Sequence, residues 1–212
     1  MRGGFPGSGP FGFQSDFNPR ERRPQMTAAL TTFERNNALL DTPSLLVQAV
    51  IVPGKDTREG QLIEAVALPW FAIIEELNRD PAIAHQIAPR KWEEIIAGAY
   101  QKSGFDEVTL TPRSGDLGRD VIAVKRGLGT VRVIDQVKAY GPGHRVTADD
   151  VRALLGVLHG DKASKGFLTT TSDFAPKLPE DRLLTPFMPA QLELINGVAL
   201  LARLKELAAK KG

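Results

Sequence analysis

Apolar residues recur at helical spacing in Trp92, Ile95, Ile96, Ala99 and Tyr100, at i, i+3, i+4, i+7 and i+8, which places them on one buried helix face. Pro89 suits the first turn of that helix and Gly104 its C-terminal cap, so both ends are punctuated. The period then changes. Glu107 to Thr111 reads as a short strand, and the loop Ser114-Gly115-Asp116-Leu117-Gly118 leads into Arg119 to Lys125, which is rich in β-branched residues. Gly127 to Thr130 is turn material before a second strand over Val131 to Lys138, and the two strands form a hairpin. Thr147 followed by Asp150 is an N-cap pattern, Val151, Leu154, Leu155 and Leu158 give the following helix its buried stripe, and Gly160 ends it. Lys165 to Thr171 is another strand. Prolines 176, 179, 186 and 189 break up the next stretch, after which Leu192 to Ile195 reads as a last strand and Leu200, Leu201, Leu204 and Leu207 line a final helix. From residue 89 the order is α-β-β-β-α-β, an irregular run, then β-α.

The N-terminal part reads differently. Phe33, Leu39 and Leu40 suggest one amphipathic helix ending near Asp41-Thr42-Pro43. Leu62, Val66, Trp70, Ile73, Ile74 and Leu77 keep helical spacing, with Pro69 as a kink or break. Residues 1–20 hold five Gly, three Pro and four of the chain's 10 Phe, a density that prevents regular structure. The expected organisation is a disordered tail over 1–25, a helical N-terminal extension over 26–87 and an α/β domain over 88–212.

Composition narrows the chemistry. The 212 residues contain no Cys, which removes disulfides, thiolate metal sites and a cysteine nucleophile. With 3 His, a multi-histidine site is nearly excluded as well, so a metal would be held by oxygen ligands and would be Mg²⁺ or Mn²⁺. The most apolar run, Ala65 to Ile74, is interrupted by Pro69 and too short for a bilayer, and the N-terminus has no apolar signal segment, so a cytoplasmic protein without a membrane partner is expected. Net charge is only +2, but residues 110–145 carry seven basic groups against Asp116, Asp120 and Asp135, a local excess suited to a polyanion.

Gln136 and Lys138 lie two apart on a predicted strand and therefore project from one face. If the hairpin sets Asp120 opposite Gln136, a carboxylate, an amide oxygen and an ammonium converge. Carboxylate, amide and a backbone carbonyl can hold a hard cation, and Lys138 would then sit beside an attacking water and a bound phosphate. Taken alone, three such residues more often form a solvated polar face.

The wider pattern resembles a known family. Trp92-Glu93, Gly104-Phe105, Ser114-Gly115-Asp116-Leu117-Gly118-Arg119-Asp120, Gln136-Val137-Lys138-Ala139-Tyr140, Val151-Arg152, Gly156 and Lys165 to Phe174 resemble the catalytic domain of Mrr-like restriction endonucleases, a Gln-containing branch of the PD-(D/E)xK nucleases. The resemblance covers about residues 88–175, and faintly Leu194-Ile195-Asn196-Gly197. It implies a restriction-endonuclease-like mixed sheet flanked by helices and Mg²⁺-dependent cleavage of DNA in defence against foreign or modified DNA, with a homodimer as one route to double-strand cleavage. A structure-specific repair nuclease and a non-catalytic DNA-binding module that keeps the fold are the alternatives. Asp120 matches the family's metal-binding Asp, Gln136 the position that is acidic elsewhere in the superfamily, Lys138 the catalytic Lys and Glu93 the helix acid facing the site, while the Val137 carbonyl would complete the metal shell. Ser114, Gly115, Arg119, Tyr140, Arg145, Thr171 and Ser172 are the expected DNA contacts. A helix usually follows the Thr-Thr-Ser strand in this family, whereas Pro176 and Pro179 interrupt it here.

Overall fold

The computed structural model describes residues 42–113 and 118–210, so the expected tail, the helix expected around Phe33 and the loop residues Ser114 to Leu117 lie outside the described residues. Helix α1 (Thr42–Leu46) leads to the antiparallel pair β1 (Ile51–Asp56) and β2 (Gln61–Val66). Helix α2 (Leu68–Arg79), a 3₁₀ turn (Pro81–His85) and α3 (Pro89–Lys102) follow, then β3 (Glu107–Leu110), β4 (Val121–Arg126) and β5 (Thr130–Lys138). The remaining elements are β6 (Arg145–Val146), α4 (Ala148–Gly160), β7 (Lys165–Thr170), β8 (Asp173–Phe174), 3₁₀ turns at Leu178–Glu180 and Thr185–Phe187, β9 (Leu192–Ile195) and α5 (Gly197–Ala209). From Pro89 onward every expected element is present in the expected order.

Residues 42–87 depart from the helical extension expected, because β1 and β2 join the main sheet. Its order is β1-β2-β3-β4-β5-β7-β9, antiparallel from β1 to β5 and parallel from β5 to β9. Leu62 and Val66 fall at i and i+4 of a helix only by coincidence with the helix that follows. Pro69 does not kink a helix; it occupies the first turn of α2, where a missing N–H costs nothing. The boundary expected at residue 88 is not a packing boundary either. Trp70, Ile73, Ile74 and Ile51 share one core with Trp92, Ile95, Val108 and Val133.

Alternation along β5 divides its side chains between two layers. Val133 and Val137 belong to the core under α2, α3 and α5, whereas Ile134 joins Leu168, Leu192 and the α4 residues Val151, Leu154 and Leu158 on the other face. Gln136 and Lys138 have the parity of Ile134 and point to the α4 side. Helix α4 starts with the expected cap: the Thr147 hydroxyl accepts from the Asp150 N–H, and the Asp150 carboxylate accepts from the Thr147 N–H at 2.9 Å. A capping box of this kind fixes the first turn of α4.

Candidate active site

The site forms where β4 begins and β5 ends. The β4–β5 register runs from Arg126↔Thr130 to Val121↔Asp135, and one further step brings Asp120 across from Gln136. Asp120 lies at the fraying end of this ladder. Its N–H donates to the Asp135 carbonyl at 3.1 Å, and its carboxylate Oδ2 accepts the Val137 N–H at 2.6 Å. A charge-assisted bond of that length fixes the carboxylate against the peptide between Gln136 and Val137. The structure therefore brings Asp120 to the Gln136–Lys138 stretch, as the sequence requires. Val137, expected to offer its carbonyl, takes part through its amide.

Gln136 is half-buried, and its Oε1 is buried without a hydrogen-bond partner among the described residues. Such an oxygen costs about 1–3 kcal/mol unless something satisfies it. Gly118, at φ +80°, explains how the amide fits: a β-carbon there would lie 3.0 Å from Gln136 Nε2, so any other residue would be both strained and crowded. An anchored carboxylate beside an unsatisfied amide oxygen is a donor set that suits a hard divalent cation. Among the described residues there is no cluster of three or more acidic, His or Cys side chains, so the set depends on that amide.

Lys138 emerges at the C-terminal end of β5, with its side chain 25% exposed. Its Nζ lies 3.7 Å from Asp150 Oδ1 at the start of α4. Its backbone is tied to β7, since its carbonyl accepts the Thr170 hydroxyl at 2.8 Å and the Thr171 N–H at 3.3 Å. Burial works to raise the Asp150 pKa, but the Thr147 N–H and hydroxyl and the Lys138 ammonium outweigh it and hold the carboxyl below its ordinary value.

The other expected residues divide. Glu93 pairs with Arg90 at 2.6 Å, and Arg90 also donates to the Thr111 carbonyl, while the Thr111 N–H donates to the Asp120 carbonyl. Glu93 thus belongs to the frame beside Asp120. Thr171 is buried and its hydroxyl donates to the Tyr140 carbonyl at 2.8 Å, so it fastens the segment after β5. Arg119 is likewise engaged, with Asp161 at 2.8 Å. Ser172 is half-buried, and its N–H donates to the Thr170 hydroxyl. Tyr140 stacks on His144, with ring centres 4.0 Å apart and planes 22° from parallel, and Arg145 is exposed on β6. Ser114 and Gly115 lie outside the described residues.

Residues 84–204 match the restriction endonuclease family of the Mrr catalytic domain. The chain belongs to that family. The Mrr-type domain therefore takes in part of the segment before residue 88, in keeping with the shared core. No curated protein gives a significant match. Among solved structures, the MspJI restriction endonuclease in complex with a 27-mer oligonucleotide is 21% identical, with a TM-score of 0.41 over 66% of this chain and 31% of that one. The DNA modification-dependent restriction endonuclease AspBHI is 18% identical, with a TM-score of 0.45 over 67% of this chain and 36% of that one. The chain thus spans about a third of the length of these two structures.

Two residues of the Mrr-type domain escaped the sequence reading. Asp135 is 2% exposed, accepts from the Tyr100 hydroxyl at 2.9 Å and the Thr169 hydroxyl at 3.1 Å through Oδ2, and leaves Oδ1 without a partner among the described residues. Burial pushes its pKa up to about 7, the two hydroxyls pull it down and Asp120 adds to the rise. An acid on an odd strand position amid Val133 and Val137 was the available signal. The other is Asp150, legible only as a cap.

Proposed function

We propose that this chain is a divalent-metal-dependent DNA endonuclease that serves in restriction of foreign or modified DNA. One observation carries the reading: the Asp120 carboxylate, just before β4, accepts the Val137 N–H between Gln136, whose amide oxygen is buried without a partner among the described residues, and Lys138, which emerges at the same end of β5. Asp120 and Gln136 would hold Mg²⁺ or Mn²⁺, whose role when bound is to draw electron density from the scissile phosphate. The chain's own residues do the rest. Asp120 is held in orientation by the Val137 N–H. Lys138, with its backbone tied to β7, places a positive charge where the attacking water and the growing negative charge on the phosphate must both be stabilised. Its partial burial strengthens that effect, because a lower local dielectric magnifies each charge. Arg145 and the exposed Gly141–His144 segment beside it suit contact with the DNA backbone. A second copy would supply a second centre for the opposite strand.

The test is incubation of methylated and unmethylated supercoiled plasmid with the protein and Mg²⁺. Nicked or linear product that EDTA prevents is expected. Plasmid that is bound yet left intact with either Mg²⁺ or Mn²⁺ would instead favour a binding module that keeps the nuclease fold.

A further inference from the structure

The ion pair between Lys138 and Asp150 joins the end of β5 to the first turn of α4, and the two oxygens of one carboxylate have different partners there. Oδ2 accepts the Thr147 N–H at 2.9 Å and the Thr147 hydroxyl at 2.8 Å, so the helix cap fixes the side chain. Oδ1 is turned to Lys138 Nζ at 3.7 Å. Both side chains are about three-quarters buried, at 25% and 23% exposure, so the pair is screened less than a surface pair. A lysine on a four-carbon stem has many rotamers and cannot by itself hold its ammonium in one place. Asp150 is itself immobilised, by Thr147 on one side and through α4 by the buried Val151 and Leu154 on the other. It therefore offers a stationary anion against which the Lys138 ammonium is registered.

We propose that Asp150 is a positioning residue for Lys138: the helix cap of α4 doubles as the counter-ion that aims the lysine at the reacting phosphate. This rests on the nuclease reading above. Asp150 touches neither DNA nor the cation; it acts through Lys138. The arrangement makes placement of the lysine depend on docking of α4 against the sheet, so a helix start without an anion at position 150 would leave the ammonium free to wander.

Two substitutions separate aiming from capping. Asp150→Asn retains an oxygen that can accept from Thr147 but removes the charge facing Lys138. Thr147→Ala removes the capping hydroxyl but leaves the main-chain N–H that holds the Asp150 carboxylate. In single-turnover cleavage at saturating DNA and Mg²⁺, Asp150→Asn is expected to lower the rate by about tenfold with little change in DNA affinity, because misplacement affects the transition state first. Asp150→Glu should recover part of that rate. Thr147→Ala should lower stability and cost less rate than Asp150→Asn, because the main-chain N–H still holds the charged carboxylate beside Lys138. A double-mutant cycle in urea unfolding between Lys138→Met and Asp150→Asn reads the pair without any catalysis, and a coupling of about threefold or more in the unfolding equilibrium is expected. An Asp150→Asn protein that cleaves at the parental rate, or a cycle without coupling, overturns the proposal. If the parent protein cuts no DNA, the nuclease reading fails while the cycle still decides whether Asp150 and Lys138 act as a pair.

Discussion

Lys138 and Gln136 allow the proposed chemistry to be tested atom by atom. Lys138→Ala removes a charge that acts mainly in the transition state, so cleavage should fall by about two orders of magnitude or more while DNA affinity, carried by other basic groups, changes far less. Comparing single-turnover rates with binding titrations checks this; equal and modest losses in both would make Lys138 an ordinary phosphate contact. Gln136→Glu keeps the size and adds a full negative charge where the amide supplies only a dipole. The Mg²⁺ concentration for half-maximal cleavage at saturating DNA should fall, and an unchanged midpoint would remove Gln136 from the ligand set. Asp135 makes a prediction of a different kind. Its carboxyl titrates near 7 in the fold against 3.8 ordinarily, so the folded state holds a proton that the unfolded chain has released across that window. Stability is therefore fully present below about pH 4 as far as this group is concerned, and is lost as pH rises through 7, by an amount on the order of a few kcal/mol. Urea unfolding at pH 5 and pH 8.5 should show the loss, and Asp135→Asn, which still offers an oxygen to Tyr100 and Thr169, should flatten it.

At the level of elements, α3 shows how one small residue sets a helix in place. A β-carbon on Gly98 would lie 2.7 Å from Trp70 Nε1, and that indole is fully buried with its N–H donated to the Ile95 carbonyl at 2.9 Å. Gly98→Ala should destabilise the protein by about 1–3 kcal/mol in denaturant unfolding, even though alanine is the better helix former. The same helix was legible from its pattern, because a period of 3.6 over fourteen residues with Pro89 and Gly104 at its ends has few competing explanations. Strands β5 and β7 were legible as well, and with them the Asp120–Gln136–Lys138 set, since side-chain parity along a strand follows from local sequence. Strand β2 was not. Six residues ending two before a helix whose apolar face is in phase with them look like one more helical turn, and only pairing with β1 and β3 decides otherwise. The duties of Thr171 and Arg119 were hidden for a related reason: their partners, Tyr140 and Asp161, lie 31 and 42 residues away in the chain.

For the whole molecule, the consequence is where the folding unit begins. The β1–β2 hairpin is bound to the rest of the core by the β2–β3 ladder and by Arg132 pairing with Glu59 at 2.5 Å, and the segment before it by Lys91 Nζ donating to the Gln48 carbonyl at 3.0 Å. Val50, Ile51 and Ile63, all buried, complete the core around Trp70 and Trp92. A fragment of residues 42–210 should therefore unfold cooperatively, whereas one starting at residue 88 should lack a cooperative thermal transition in circular dichroism, because it leaves that core open and strips β3 of β2, one of its two neighbours. A cooperative fragment from residue 88 would restore the boundary drawn from the sequence. Strand β1, one of the sheet's two outer strands, has its own consequence for how copies of the molecule can meet. Around Pro53 the pairing of β1 slips register on both sides, the proline has no N–H to offer, and Lys55 and Asp56 are exposed beyond it. A second strand laid along this margin would find neither an unbroken row of donors nor a flat surface. In a crowded cell, where open sheet margins seed fibrils, that irregularity would protect the molecule along this margin.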